Sequence, residues 1–168
     1  MMSTSNRNRV LAAVLAAVMP FTSAYAVSPQ TKTFDVTMTV IADCTINAAG
    51  INFGQTGVIT TAKTGQSNLT VTCTNTTPYN VGLDAGDGTG STGTTRYMVG
   101  TGTNTDKVQV NLYRDANSSL WGNTQGSNTV TGTGTGNAQT LTVYGEIPVQ
   151  KSPAPDTYKS TITASIYF

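Results

Sequence analysis

The chain has 168 residues, with nine Lys and Arg against eight Asp and Glu, no histidine and a formal net charge of +1. Such sparse charge, with no basic cluster, gives nucleic-acid binding no electrostatic footprint, and the missing histidine removes the Ser–His and Cys–His pairs of nucleophilic catalysis. The length supports one core, and the abundance of Thr, Gly, Asn and β-branched residues favours extended structure over helix.

Arg7 and Arg9 precede an apolar run over residues 10–19, and Ala24-Tyr25-Ala26 fits a small-x-small cleavage site before Val27. That order reads as a secretory signal peptide over residues 1–26, the run being too short for the ~20 residues of a membrane-spanning helix. After a short leader at Ser28-Pro29-Gln30, Phe34, Val36, Met38 and Val40 alternate with Thr33, Asp35, Thr37 and Thr39. A period of two puts one set on one sheet face, so a strand is expected from residue 31 to about 41. Cys44-Thr45-Ile46 and Ile51-Asn52-Phe53 read as short extended pieces around a turn at Ala48-Ala49-Gly50. Residues 68–74 form a strand with Leu69, Val71 and Cys73 on one face, and Pro78 opens another through Tyr79, Val81 and Leu83. Residues 107–113 repeat the pattern with Val108, Val110 and Leu112, and Leu141 and Val143 mark a later strand. At the end, Ile162, Ala164, Ile166 and Phe168 alternate with Thr161, Thr163, Ser165 and Tyr167. Short strands with Gly, Asn and Pro punctuation read as an antiparallel sandwich. Two Thr-Gly stretches, 86–105 and 122–137, offer no apolar face and are expected to be surface loops or hairpin tips.

Little in the chain carries chemistry. Cys44 and Cys73 are the only cysteines, and in an exported chain they read as a disulfide, worth roughly 3–4 kcal/mol for a loop of about 30 residues. Two thiolates without histidine are too few for a structural zinc site. Asp84-Ala85-Gly86-Asp87-Gly88 has two carboxylates and no nonapeptide period, a poor calcium site. Asp84, Asp115 and Glu146 could pair as a glycosidase-like dyad, but turn caps or solvated groups are the commoner use of such residues. Trp121, Tyr97 and Tyr113 could form an exposed stacking cluster, though core or loop-anchoring roles are commoner. Sequons at Asn68, Asn75 and Asn117 carry little weight in a Thr/Asn-rich chain. No catalytic residue, cofactor or metal is expected.

An immunoglobulin-like sandwich needs seven strands, and counting from Cys44 gives about six, with the chain stopping on the last. A groove would then lie where the seventh belongs, open in both its backbone groups and its apolar core. The alternating segment at 31–41 suits that groove in a neighbouring molecule, its apolar residues filling successive pockets while its backbone completes the sheet. The same segment could equally complete its own sandwich. The residues alone leave both open.

The order of motifs resembles the archaic chaperone–usher pilins of the spore coat protein U domain family. The matching marks are Cys44-Thr45-Ile46, Ile51-Asn52-Phe53-Gly54, Leu69-Thr70-Val71-Thr72-Cys73, the run Asn111-Leu112-Tyr113-Arg114-Asp115-Ala116, Leu120-Trp121 and Tyr144-Gly145-Glu146-Ile147-Pro148. Asp156-Thr157-Tyr158-Lys159-Ser160 leads into the terminal strand much like the family's Gly-x-Tyr-x-Asp ending. The resemblance implies an all-β, incomplete immunoglobulin-like β-sandwich lacking its last strand, at residues 42–168, preceded by a donor segment at 27–41. It implies Phe34, Val36, Met38 and Val40 as donor-strand anchors, and Ile162, Ala164, Ile166 and Phe168 as one rim of the acceptor groove. Cys44 and Cys73 would tie the early strands together. The implied partners are a periplasmic chaperone that first fills the groove, an outer-membrane usher that exchanges it for the next subunit's strand, identical subunits and a tip adhesin. The product would be a surface fibre for attachment and biofilm formation. Rival readings are a secreted glycan-binding or enzyme-like domain using Trp121 and Tyr97, or a spore or cell coat protein with the same domain.

Overall fold

The computed structural model of the protein describes residues 28–116 and 118–168. The signal peptide expected at 1–26 and the sequon at Asn117 lie outside the described residues. The chain divides into two units, one ending at Met38 and one running from Thr39 to Phe168. In the first, the described residues 28–38 are exposed and form no strand. An extended segment becomes a strand only when its N–H and C=O groups find a second edge. Residues 31–41 are assigned to no strand.

The second unit is a two-sheet antiparallel sandwich. Its strands are β1 (Cys44–Ala48), β2 (Lys63–Cys73), β3 (Pro78–Leu83), β4 (Arg96–Gly100), β5 (Lys107–Tyr113), β6 (Val130–Thr133), β7 (Ala138–Ile147), β8 (Tyr158–Lys159) and β9 (Ala164–Tyr167). One sheet has the order β1-β2-β7-β5-β4-β8 and the other β6-β3-β9. Alternate residues of β2, β3, β5 and β7 supply the core, with Val71, Val81 and Trp121 wholly buried. The terminal strand is shorter than its pattern, because residues 161–163 are held by the loop at 84–87. This is an incomplete immunoglobulin-like sandwich, open along two strand edges. Among the described residues no helix is long and apolar enough to cross a membrane.

Two expectations need correction. The stretches 86–105 and 122–137 are not loops throughout, since β4 lies inside the first and β6 inside the second. The most deeply buried residue of β4 is a charged one, Arg96, which leaves Met98 as its one apolar inward side chain, too few for a period-two apolar pattern. β6 is held by its ladder to β3, and its Gly132 leaves room for Tyr79: a Cβ there would come within 2.3 Å of the Tyr79 ring. Trp121 sits in the core, its indole Nε1–H donating to the Val81 carbonyl at 2.9 Å.

Residues 51–53 are no strand, yet Ile51 and Phe53 pack against the core. They lie over the cross-strand pair Gly65 and Gly145. A Cβ on Gly145 would meet Phe53 at 2.8 Å and Ile51 at 3.0 Å, and one on Gly65 would meet Ile51 at 2.8 Å. The two glycines make a flat shelf that lets this segment approach the inner face of β2 and β7.

Candidate subunit-joining groove

Two sheet edges lie side by side without pairing. β1 is one margin of the larger sheet and β9 one margin of the smaller; they are neighbours in space but share no ladder. Their directions oppose. Cys44 at the start of β1 pairs with Cys73 at the end of β2, and Asn80, two residues into β3, pairs with Tyr167 at the end of β9. Residues 74–77 join β2 to β3 directly, so β1 begins at the end of the sandwich where β9 finishes.

The hydrogen bonds already made fix which backbone groups remain available. In an antiparallel ladder the N–H and C=O of one residue point the same way, and the direction alternates along the strand. The carbonyls of Thr163 and Thr161 accept from the N–H groups of Asp84 and Asp87 at 3.0 and 3.2 Å. Their own N–H groups donate to the Asp84 and Asp87 carboxylates at 2.9 and 2.7 Å. Thr161, Thr163, Ser165 and Tyr167 therefore face β3, and Ile162, Ala164 and Ile166 turn their backbone groups to the open side. On the other margin, the Asp43 carbonyl accepts from Thr74 N–H at 3.0 Å and Ala49 N–H donates to Asn68 at 3.2 Å. By the same alternation Cys44, Ile46 and Ala48 turn away from β2. The gap is thus lined by unpaired backbone on both sides, an acceptor for a further strand.

Its walls are apolar. Ile162, Ala164 and Ile166 from the β9 side, Cys44 and Ile46 from β1, and Ile51 and Phe53 beyond it all pack on the core while staying partly exposed. Phe168 shares the inward parity of β9 but is 58% exposed, past the end of the strand. The disulfide Cys44–Cys73 is formed, with its Cα atoms 4.1 Å apart, and it fastens β1 to β2 at the mouth of the gap. Each donor residue expected from the sequence is exposed: Phe34 by 85%, Val36 by 86%, Met38 by 85% and Val40 by 66%.

Arg96, which no motif in the sequence singles out, braces the β9 wall from behind. It is fully buried, and its guanidinium donates to the carbonyls of Asp84, Leu83 and Trp121 at 2.8, 2.9 and 2.7 Å. Burial pushes its pKa down to about 10 while the Asp84 charge pulls the other way, so at neutral pH it keeps its proton and all its donors. Asp84 in turn holds Thr163, and the chain of contacts runs from the core to the open strand. The Asp87 carboxyl is held below the usual carboxylate range, first by the hydrogen bond from Thr161 N–H, against a smaller opposing effect of burial. A capping Asp before a glycine was the legible part of this arrangement; its partner 74 residues away was not.

The three carboxylates weighed as a catalytic pair each have local partners. Asp84 accepts from Gly86 and Thr163, Asp115 from Ser119, and Glu146 from the Tyr113 hydroxyl at 2.7 Å. Trp121, with no exposed surface, has no face to offer a sugar. Among the described residues no group of three or more His, Cys, Asp or Glu is gathered as a metal site would require.

The Spore Coat Protein U domain matches residues 30–165. A chain of the crystal structure of the CsuC–CsuE chaperone–tip adhesion subunit pre-assembly complex, from archaic chaperone-usher Csu pili of Acinetobacter baumannii, is similar in fold. The TM-score is 0.58 at 22% identity, and the match covers 77% of this chain and 41% of that one, so this protein spans less than half its length. The E. coli Hda pilus minor tip subunit, HdaB, aligns at a TM-score of 0.41 and 16% identity over 73% of this chain and 78% of its own. No curated protein is significantly similar in sequence.

Proposed function

The chain belongs to the Spore Coat Protein U domain family, and on that premise we propose that it is a structural subunit of an archaic chaperone–usher pilus, joined to identical subunits by donor-strand complementation. The observation that carries this reading is the open, apolar-walled gap between β1 and β9 in a chain that also exposes an alternating apolar segment. Phe34, Val36, Met38 and Val40 of one subunit fill the gap of the next, and the donor backbone pairs with the free side of β9 at Ile162, Ala164 and Ile166. Burying four such side chains contributes roughly 6–12 kcal/mol before ordering costs, and each backbone group paired removes a further penalty of about 1–3 kcal/mol.

The role is structural and not enzymatic. A groove this apolar needs cover during export. In the Csu complex of similar fold, a chaperone accompanies a pilus subunit before assembly, and for this chain we assign the same order of events: chaperone in the periplasm, exchange at an outer-membrane usher, then a surface fibre. A signal peptide at 1–26 starts that route. Withdrawing the donor means breaking its ladder and removing all four anchors together, so the fibre persists by its unfolding barrier.

Deleting residues 27–41 tests the reading. The truncated subunit is expected to stay bound to its chaperone and to form no fibre, and a peptide of residues 31–41 is expected to restore cooperative unfolding. A truncated chain that folds alone with full cooperativity would sink the proposal.

A further inference from the structure

Ile41 does not fit the donor pattern. The donor anchors are even-numbered, and their odd-numbered neighbours Thr33, Asp35, Thr37 and Thr39 are polar. Ile41 follows on the odd, outward parity and is 73% exposed. An apolar side chain on that side is turned away from the groove and lacks cover in the subunit that carries it.

Its surroundings in a fibre follow from strand direction and reach, taking the donor-strand reading as given. A strand between β1 and β9 runs parallel to one and antiparallel to the other. Every ladder among the described residues is antiparallel, β9 with its flanking residues offers the longer open edge, and antiparallel pairing is the more stable per residue. The incoming strand therefore starts near Phe168 and leaves near Ile162. Beyond Val40 the slack is small. Asp43 is already fastened to its own subunit through Thr74, with its N–H on Oγ1 at 3.1 Å. Three Cα steps from Val40 to Asp43 span at most about 11 Å. The donor's own body must abut the end of the acceptor where its strand leaves.

That end carries exposed apolar residues. β2 begins there, with Lys63 paired to Ile147, and Val149 lies two residues past the pair. The loop bearing Val58 is tied to the same end by Ile59 N–H donating to Ser152 Oγ at 2.7 Å. Val58 is 71% exposed and Val149 62%. We infer that Ile41 of each subunit packs on Val58 and Val149 of the subunit whose groove it fills, and that this second contact sets the angle between neighbours. The occupant of this apolar end is a second copy of the chain, delivered by the short tether and not by a separate docking event.

Cysteine pairs in assembled fibres test this. In fibres built from the I41C/V149C double variant, mild oxidation is expected to give a ladder of covalent multimers on boiling in SDS without reductant. I41C/Q125C, with its second cysteine near Phe168 at the opposite end, is expected to give at least about tenfold less, since a disulfide needs Cα atoms within ~7 Å. The native Cys44–Cys73 bridge is internal and makes no ladder. A ladder from the Gln125 pair instead overturns the strand direction and the contact with it. No ladder from either pair, in fibres that still require residues 31–41, overturns the contact and leaves donor-strand joining intact. Fibres that form without residues 31–41 overturn both. Should the cysteine pairs assemble poorly, Ile41→Ser is the second probe: its fibres are expected to show a broadened distribution of angles between subunits in electron micrographs, and an unchanged distribution overturns the contact.

Discussion

Replacing Arg96 by Met keeps much of the volume of a wholly buried side chain and removes its donors. The carbonyls of Leu83, Asp84 and Trp121 each receive a guanidinium hydrogen bond of 2.7–2.9 Å. Leaving a buried acceptor unpaired costs about 1–3 kcal/mol, roughly 3–9 kcal/mol for three. Against that, the folded state no longer has to desolvate a guanidinium, a penalty of several kcal/mol. The net loss is then smaller than the three hydrogen bonds alone would give, about 1–4 kcal/mol, still a sizeable fraction of the 5–15 kcal/mol that holds a domain together. Arg96→Lys is expected to lose at least about 2 kcal/mol, since an ammonium cannot fork across three carbonyls on different segments. The assay is urea unfolding of the subunit with its groove filled by a peptide of residues 31–41, followed through Trp121, the sole tryptophan. Because Asp84 also holds Thr163, the variant should bind the peptide more weakly than its global stability alone requires. Unfolding within about 1 kcal/mol of the parent at unchanged slope would refute the bracing role.

Three further outcomes are expected. Asp87 has its folded pKa below the ordinary 3.8, so its stabilisation is fully present above that value and is lost as pH falls through the folded one. Urea midpoints measured down the acid range should drop below about pH 4, and Asp87→Asn should flatten that limb. Gly145→Ala places a Cβ against Phe53 and Ile51, with an expected cost of about 1–3 kcal/mol in urea unfolding and weaker uptake of the donor peptide. Replacing Cys44 and Cys73 by Ser should cost roughly 3–4 kcal/mol in the empty subunit. It should lower the yield of assembly-ready protein more than it weakens finished fibre, because strand completion adds its own stabilisation; equal losses in both would contradict this.

The sequence by itself determined much of this protein. Period-two alternation marked β2, β3, β5, β7 and β9, because their inward faces are apolar and pack on one core. It also marked the alternating apolar stripe at Phe34, Val36, Met38 and Val40, which we assign as the donor and whose side chains are exposed. The two cysteines of an exported chain read as a bridge, and the bridge is there. β4 and β6 were hidden for a physical reason: each strand has a single apolar inward side chain, Met98 or Val130, next to an inward Arg96 or Gly132, and one apolar residue makes no period. Trp121 takes the core place that was the commoner reading for it, but the Asp84 and Asp87 carboxylates gave no sign of the strand they hold 79 and 74 residues on. Only the tertiary structure decided that β1 and β9 stand side by side with their free groups turned into one gap. A pattern of side chains fixes which face of a strand is buried; which of its two hydrogen-bonding edges is left open depends on the neighbours the fold supplies.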